Sequence, residues 1–150
     1  MDLESYLKAK GVWYRFIDKA ETVHTADASR ASGIDLHHLT KNLVSKTSDG
    51  RHTLLIVPGD RRVNLQKAAR ALKVANVQLL GFKEAEMVSG YAPGATPSVH
   101  HKSPLTVVVD ASLLKYDTLY CGGGSRDKLL ELRTSNLLTL TGATTADISE

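Results

Sequence analysis

The chain of 150 residues holds one cysteine, Cys121, which excludes an intrachain disulfide. No apolar run approaches the ~20 residues that span a bilayer. The opening Met1-Asp2-Leu3-Glu4 lacks the basic and apolar regions of a secretory signal. A cytoplasmic protein with no membrane attachment is the expectation. The histidines include the adjacent pairs His37-His38 and His100-His101, and neither H-x-x-x-H nor C-x-x-C spacing occurs. With one cysteine, that argues against a zinc site, so no metal and no cofactor is expected. The run Gly122-Gly123-Gly124 is not followed by Gly-Lys-Ser/Thr and opens no G-x-G-x-x-G pattern with an amphipathic helix, which argues against a nucleoside-triphosphate site. The spacing shows no Ser-His-Asp arrangement. There is no internal repeat, low-complexity segment or linker.

What is present fits a single domain over residues 1–150. At this length folding buries roughly 68–70% of the unfolded chain's surface, enough for one core. The 42% hydrophobic content is that of an ordinary soluble domain. A net charge of +3 is compatible with a few phosphate contacts and falls short of a dedicated nucleic-acid binder.

Hydrophobic periodicity and turn chemistry predict the elements. Leu3–Lys10 reads as a helix stopped at Gly11, and 12–17 as a strand. Thr25 is the expected N-cap of a helix through Ser32, and Asp35 caps a further turn. Asp49-Gly50 between the apolar runs 42–46 and 53–57 predicts a hairpin. The unbroken Leu54-Leu55-Ile56-Val57 predicts a strand covered on both faces. Asn64 caps a helix 65–73 whose Leu65, Ala68, Ala69 and Leu72 form one stripe. A short strand at 77–80, a helix at 84–88 and strands at 105–109, 118–121 and 129–133 follow. A last helix covers 135–141, and the polar tail beyond Ala143 is expected to fray. The fold class is α+β, a central mixed β-sheet flanked by helices.

Three features suggest chemistry. Lys41 lies where a helical turn becomes a buried strand, which can hold an ammonium at a pocket rim. The loop Gly90-Tyr91-Ala92-Pro93-Gly94-Ala95-Thr96-Pro97 pairs permissive glycine with rigid proline. The Gly122–Gly124 run follows an apolar strand. Both loops offer backbone N–H groups with little side-chain obstruction, suited to an anion or an ester oxygen. His24, before a helix, and His100, after the loop, are single polar candidates. Cys121 reads as a buried, inert thiol. Arg61-Arg62 reads as a solvated turn that could also touch RNA phosphates.

The order of Lys41-Asn42-Leu43-Val44, Ile56-Val57-Pro58-Gly59-Asp60, Ser89-Gly90-Tyr91, Pro93-Gly94-Ala95-Thr96-Pro97 and Tyr120-Cys121-Gly122-Gly123-Gly124-Ser125-Arg126 resembles the YbaK/ProX family of aminoacyl-tRNA deacylases. That family shares its fold with the editing domain of bacterial prolyl-tRNA synthetases. The resemblance covers roughly residues 20–140. It implies hydrolysis of the ester of a mischarged tRNA, a small amino acid on the tRNA for proline, with prolyl-tRNA synthetase as a further partner. Lys41 would then bind phosphate or polarise the carbonyl. Asn42, Gly94, Ala95, Thr96 and Pro97 would line the aminoacyl pocket, with Gly123, Gly124 and Ser125 as its wall and His24 and His100 nearby. Two positions depart from the family pattern: Pro93 and Val99 stand where glycine is usual, and Pro93 removes a backbone donor. The alternatives are a non-catalytic module that binds tRNA or the synthetase, and a hydrolase of another small ester or nucleotide.

Overall fold

The computed structural model describes residues 1–150. In chain order the elements are α1 (Leu3–Lys10), β1 (Tyr14–Asp18), α2 (Thr25–Ser32), β2 (Thr40–Thr47), β3 (His52–Pro58), α3 (Leu65–Leu72), β4 (Val77–Leu79) and α4 (Phe82–Ser89). Then come β5 (Thr106–Asp110), a 3-10 turn (Ala111–Lys115), β6 (Thr118–Gly122), β7 (Lys128–Arg133), α5 (Thr134–Thr141) and β8 (Thr144–Ala146). The cap of α1 is Asp2, whose carboxylate accepts from the Ser5 N–H at 2.8 Å, and that of α3 is Asn64, which accepts from the Lys67 N–H at 2.9 Å. For α2 the cap is His24 rather than Thr25, which begins the helix, and the His24 side chain makes no capping bond.

The mixed sheet has the order β4-β2-β3-β5-β8, antiparallel across β4-β2-β3 and parallel across β3-β5-β8. A second sheet, β1-β7-β6, is antiparallel throughout. The central strand β3 is apolar without alternation because both its faces are covered. Leu54 and Ile56 pack with Val107, Val109 and Leu113 on one side, while Leu55 and Val57 pack with α3 and Val108 on the other. In the second sheet Leu130, Leu132 and Cys121 pack on Leu3 and Leu7 of α1. The two sheets meet where Leu39 bridges to Tyr120 and the Thr40 hydroxyl donates to the Tyr120 carbonyl at 2.8 Å.

The tail is ordered, contrary to the expectation of fraying. β8 runs parallel to β5, and Ile148 is fully buried among Val57, Ala68 and Val108. The Ile148 N–H donates to the Asp110 carboxylate at 2.9 Å, and its carbonyl accepts from the Asn64 N–H at 2.7 Å. The physical reason is non-local: without β8, β5 would present an unpaired edge. Replacement of Ile148 by Ala should therefore cost about 2–5 kcal/mol in denaturant unfolding. A cost below about 0.5 kcal/mol, the usual scale for a surface change, would mean the tail is frayed after all.

Candidate functional site

Lys41 stands second in β2, opposite Val57, and is half-buried. Its Nζ donates to the Arg61 carbonyl at 2.8 Å, which leaves two of its three N–H groups for a ligand. Burial lowers its pKa below the ordinary lysine value; Asp60 opposes that effect and Arg62 adds to it.

Lys41 lines a largely apolar cleft of about 510 Å³ together with Asn42, His24, Pro93, Gly94 and Thr96. The 93–98 loop reaches this cleft because two glycines admit it. At Gly94 φ is +85°, and a Cβ would lie 2.7 Å from the Val23 Cα. At Gly122 a Cβ would lie 2.5 Å from the carbonyl carbon of Ala95. Side chains then pin the loop. The Ser98 hydroxyl donates to Asn42 Oδ1 at 2.6 Å, and Asn42 Nδ2 donates to the Thr40 hydroxyl at 2.9 Å. Arg126 Nε donates to the Pro93 carbonyl at 2.8 Å, and His101 Nε2 lies 2.7 Å from the Pro97 carbonyl, to which it donates as the Nε2–H tautomer. Ala95 and Pro97 are buried.

The backbone donors of the two loops divide sharply. The Ala95 N–H is bonded to Ala92, that of Gly123 to Lys128 and that of Gly124 to Ala95. The N–H groups of Gly94 and Thr96, both cleft residues, have no partner within the protein. Cys121 also lines the cleft. Burial pushes its thiol up to about 11, so it is protonated at neutral pH and a poor nucleophile.

The aminoacyl-tRNA editing domain model matches residues 19–140. The chain belongs to this family. It is 23% identical over 136 residues to an Enterococcus faecalis protein named "Putative Cys-tRNA(Pro)/Cys-tRNA(Cys) deacylase EbsC", covering 91% of this chain and 83% of that one. Among solved structures, the hypothetical protein APE2540 superposes with a TM-score of 0.91 at 30% identity, covering 99% of each chain. A structure titled as a "putative trans-editing enzyme for prolyl tRNA synthetase" gives 0.87 at 29% identity, covering 99% of this chain and 94% of that one.

Within this editing domain the site residues read from the sequence fall into two clefts. Gly123, Gly124, Ser125 and His100 line a second, more open cleft of about 650 Å³, and only Tyr91 of the loop region borders both. The glycine run thus serves the fold: its N–H groups are spent on Lys128 and the 95 carbonyl, and the Ser125 hydroxyl donates to Asp127 at 2.5 Å. His100 is held by Tyr91, with the phenol oxygen 2.8 Å from Nδ1, and its ring lies 4.9 Å from that of Tyr6. His24 is exposed on the rim of the first cleft. Of the two departures from the family pattern, Val99 has a structural use. Val99 is buried against Leu3, Leu7 and Cys121; the Pro93 carbonyl is the acceptor for Arg126, a bond that any residue there would accept, so it does not explain the proline. No three His, Cys, Asp or Glu side chains converge in a metal-holding group.

Thr40, Ser98, His101 and Arg126 carry the loop, and sequence reading assigned none of them a role, although Arg126 closes the glycine-run motif and His101 belongs to a histidine pair. Their partners lie mostly far off in the chain, so no local pattern marks that role. Burial lowers the pKa of His101 below its ordinary value, although its bond to Pro97 acts the other way. The unfolded chain then binds more protons than the folded one in the window just below pH 6.5, so stability falls as pH falls through it. His101→Gln keeps an N–H donor and cannot gain this charge. It should show a smaller loss of unfolding free energy than the wild type between pH 7.5 and pH 5. Identical losses in the two proteins would remove His101 from the account.

Proposed function

We propose that the chain acts in trans as an aminoacyl-tRNA deacylase, with residues 1–150 working as one editing domain. It hydrolyses the ester of a small amino acid wrongly attached to the tRNA for proline, and so corrects the product of prolyl-tRNA synthetase. The observation that carries this reading is the cleft that unites a half-buried cation, Lys41, with two unspent backbone donors, Gly94 and Thr96.

The chemistry follows from these groups. Water adds to the ester carbonyl carbon, and the carbonyl oxygen becomes an oxyanion. The N–H groups of Gly94 and Thr96 donate to that oxygen; such a donor is typically worth about 2.7–4 kcal/mol of barrier. The intermediate collapses with cleavage of the bond to the ribose oxygen, which takes up the proton that the attacking water gives up, and the amino acid and free tRNA leave. Lys41 holds either the adjacent phosphate or the carbonyl itself. Because the ester is already activated, positioning supplies most of what is needed. The side of the cleft formed by Pro93, Gly94 and Thr96, backed by the buried Ala95 and Pro97, excludes large side chains. It separates small ones weakly, since one methylene is worth only ~1–3 kcal/mol. The names of the similar proteins support the tRNA for proline as carrier and cysteine as an amino acid to assay; alanine, also small, is assayed beside it.

The alternative, a module that binds without hydrolysing, draws on Pro93, which lacks one donor of the loop. Lys41→Ala separates the two. Under single turnover with alanyl- and cysteinyl-tRNA for proline, Lys41→Ala should lose ~100-fold or more in rate, the scale of removing one catalytic donor. Affinity for tRNA should change little if Lys41 meets the carbonyl. If it meets phosphate, the slope of log affinity against log salt should become shallower by about 0.7. Because burial depresses the Lys41 pKa, ammonium-dependent turnover should decline as pH rises through a value below 10.5. Lys41→Arg should carry phosphate binding past that point. Wild-type rate and affinity in Lys41→Ala would make Lys41 an ordinary surface lysine.

A further inference from the structure

Phe82 is an unfilled contact. It begins α4, and with Ala85 and Ser89 it falls at i, i+3 and i+7, on one face of the helix. Ser89 is fully buried and Ala85 packs on the core, so this is the inward face. Yet Phe82 is 62% exposed. It is exposed because the stripe runs past the end of the core and overhangs the cleft, whose wall here is Leu79, Leu80, Phe82 and Ala85. The neighbouring Leu79 is 38% exposed. An aromatic face and a leucine left open on the rim of a polar-ended cleft suit a flat apolar ligand.

The sheet ties the start of this wall to the strand that carries the cation. Leu79 pairs with Ser45, and the Leu80 N–H donates to the Val44 carbonyl at 3.0 Å. Lys41 lies three residues back from Val44 along the same strand, about 10 Å at strand rise, with its side chain on the alternate face. One cleft lining therefore holds Lys41, the unspent N–H groups of Gly94 and Thr96, and the exposed Phe82 ring. At the cationic end the exposed Arg61 and Arg62 add positive charge beside Lys41. An ester on a ribose that bears a base and a phosphate presents a group for each of these.

We propose that Phe82 is the stacking platform for the terminal adenine of the substrate tRNA, holding the ribose so that the ester carbonyl meets Gly94 and Thr96. This rests on the deacylase reading, and it makes Phe82 a binding determinant distinct from the amino-acid wall. Stacking of a base on an aromatic ring is worth ~1–3 kcal/mol by alanine substitution, which is roughly 5- to 150-fold in affinity.

The test uses two non-hydrolysable probes, 3′-deoxy-3′-(alanylamino)adenosine and its counterpart with a methoxy group in place of the base. Dissociation constants are measured by calorimetry for the wild type, Phe82→Ala and Phe82→Tyr, with thermal unfolding as the control for folding. The wild type should prefer the adenine probe. Phe82→Ala should lose roughly 5- to 150-fold toward that probe and nothing toward the base-free one, while Phe82→Tyr keeps the preference. An equal loss for both probes, an unchanged adenine preference in Phe82→Ala, or no preference in the wild type overturns the proposal. Single-turnover deacylation by the wild type tells its failure from that of the function: a protein that hydrolyses mischarged tRNA yet ignores Phe82 retains its activity and loses this inference. A protein that prefers the adenine probe through Phe82 and hydrolyses nothing keeps the platform and loses the deacylase reading.

Discussion

The Asn42 amide joins three parts of the molecule. Its Nδ2 donates to Thr40, whose hydroxyl donates to the Tyr120 carbonyl of the second sheet, and its Oδ1 accepts from Ser98 of the irregular loop. The Ser98 N–H in turn rests on the Cys121 sulfur at 3.4 Å. Ser98 is fully buried and Thr40 nearly so, so removing a partner leaves a polar group without water and costs about 1–3 kcal/mol. Lys41 sits between Thr40 and Asn42 on the same strand. The position of the cation relative to the 93–98 loop is therefore set by this cluster, and the cleft exists because the two sheets and the loop are tied at one point. Asn42 contributes chiefly through this tie, although it also borders the cleft.

Close packing supplies the rest of the geometry. The loop can approach β6 only because position 122 has no side chain, and it can approach residues 22 and 23 only because position 94 has none. Arg126 and His101 then hold the carbonyls of Pro93 and Pro97, on either side of residues 94–96. With its neighbours fixed, the loop presents Gly94 and Thr96 with their N–H groups unspent. Preorganisation of this kind is what lets a backbone donor stabilise charge without reorganising during reaction.

Much of this was legible in the sequence. The Asp49-Gly50 hairpin, the two-faced strand 54–57, the Asn64 cap and the mixed sheet all follow from local signals that the tertiary structure reinforces. Two things were not. The Thr144–Ala146 strand has a polar sequence with no strand signature and forms because β5 needs a neighbour. The glycine run was read as a wall of the substrate pocket on its resemblance and its bare backbone. The Gly123 and Gly124 donors are consumed by Lys128 and Ala95, and these two residues line another cleft, while Gly122 lines the one that holds Lys41. Glycine tells that the backbone is approached closely; which atoms approach it, ligand or protein, is decided by partners far along the chain.

The central claim is that Gly94 and Thr96, not the 123–124 run, are the donors that meet the substrate. Amide resonances of the 15N-labelled protein, followed while 3′-deoxy-3′-(alanylamino)adenosine is titrated in, test it directly. The account predicts that the Gly94 and Thr96 amides shift and become protected from solvent exchange, while those of Gly123 and Gly124 stay where they are. Shifts confined to Gly123 and Gly124, with Gly94 and Thr96 unmoved, would contradict it.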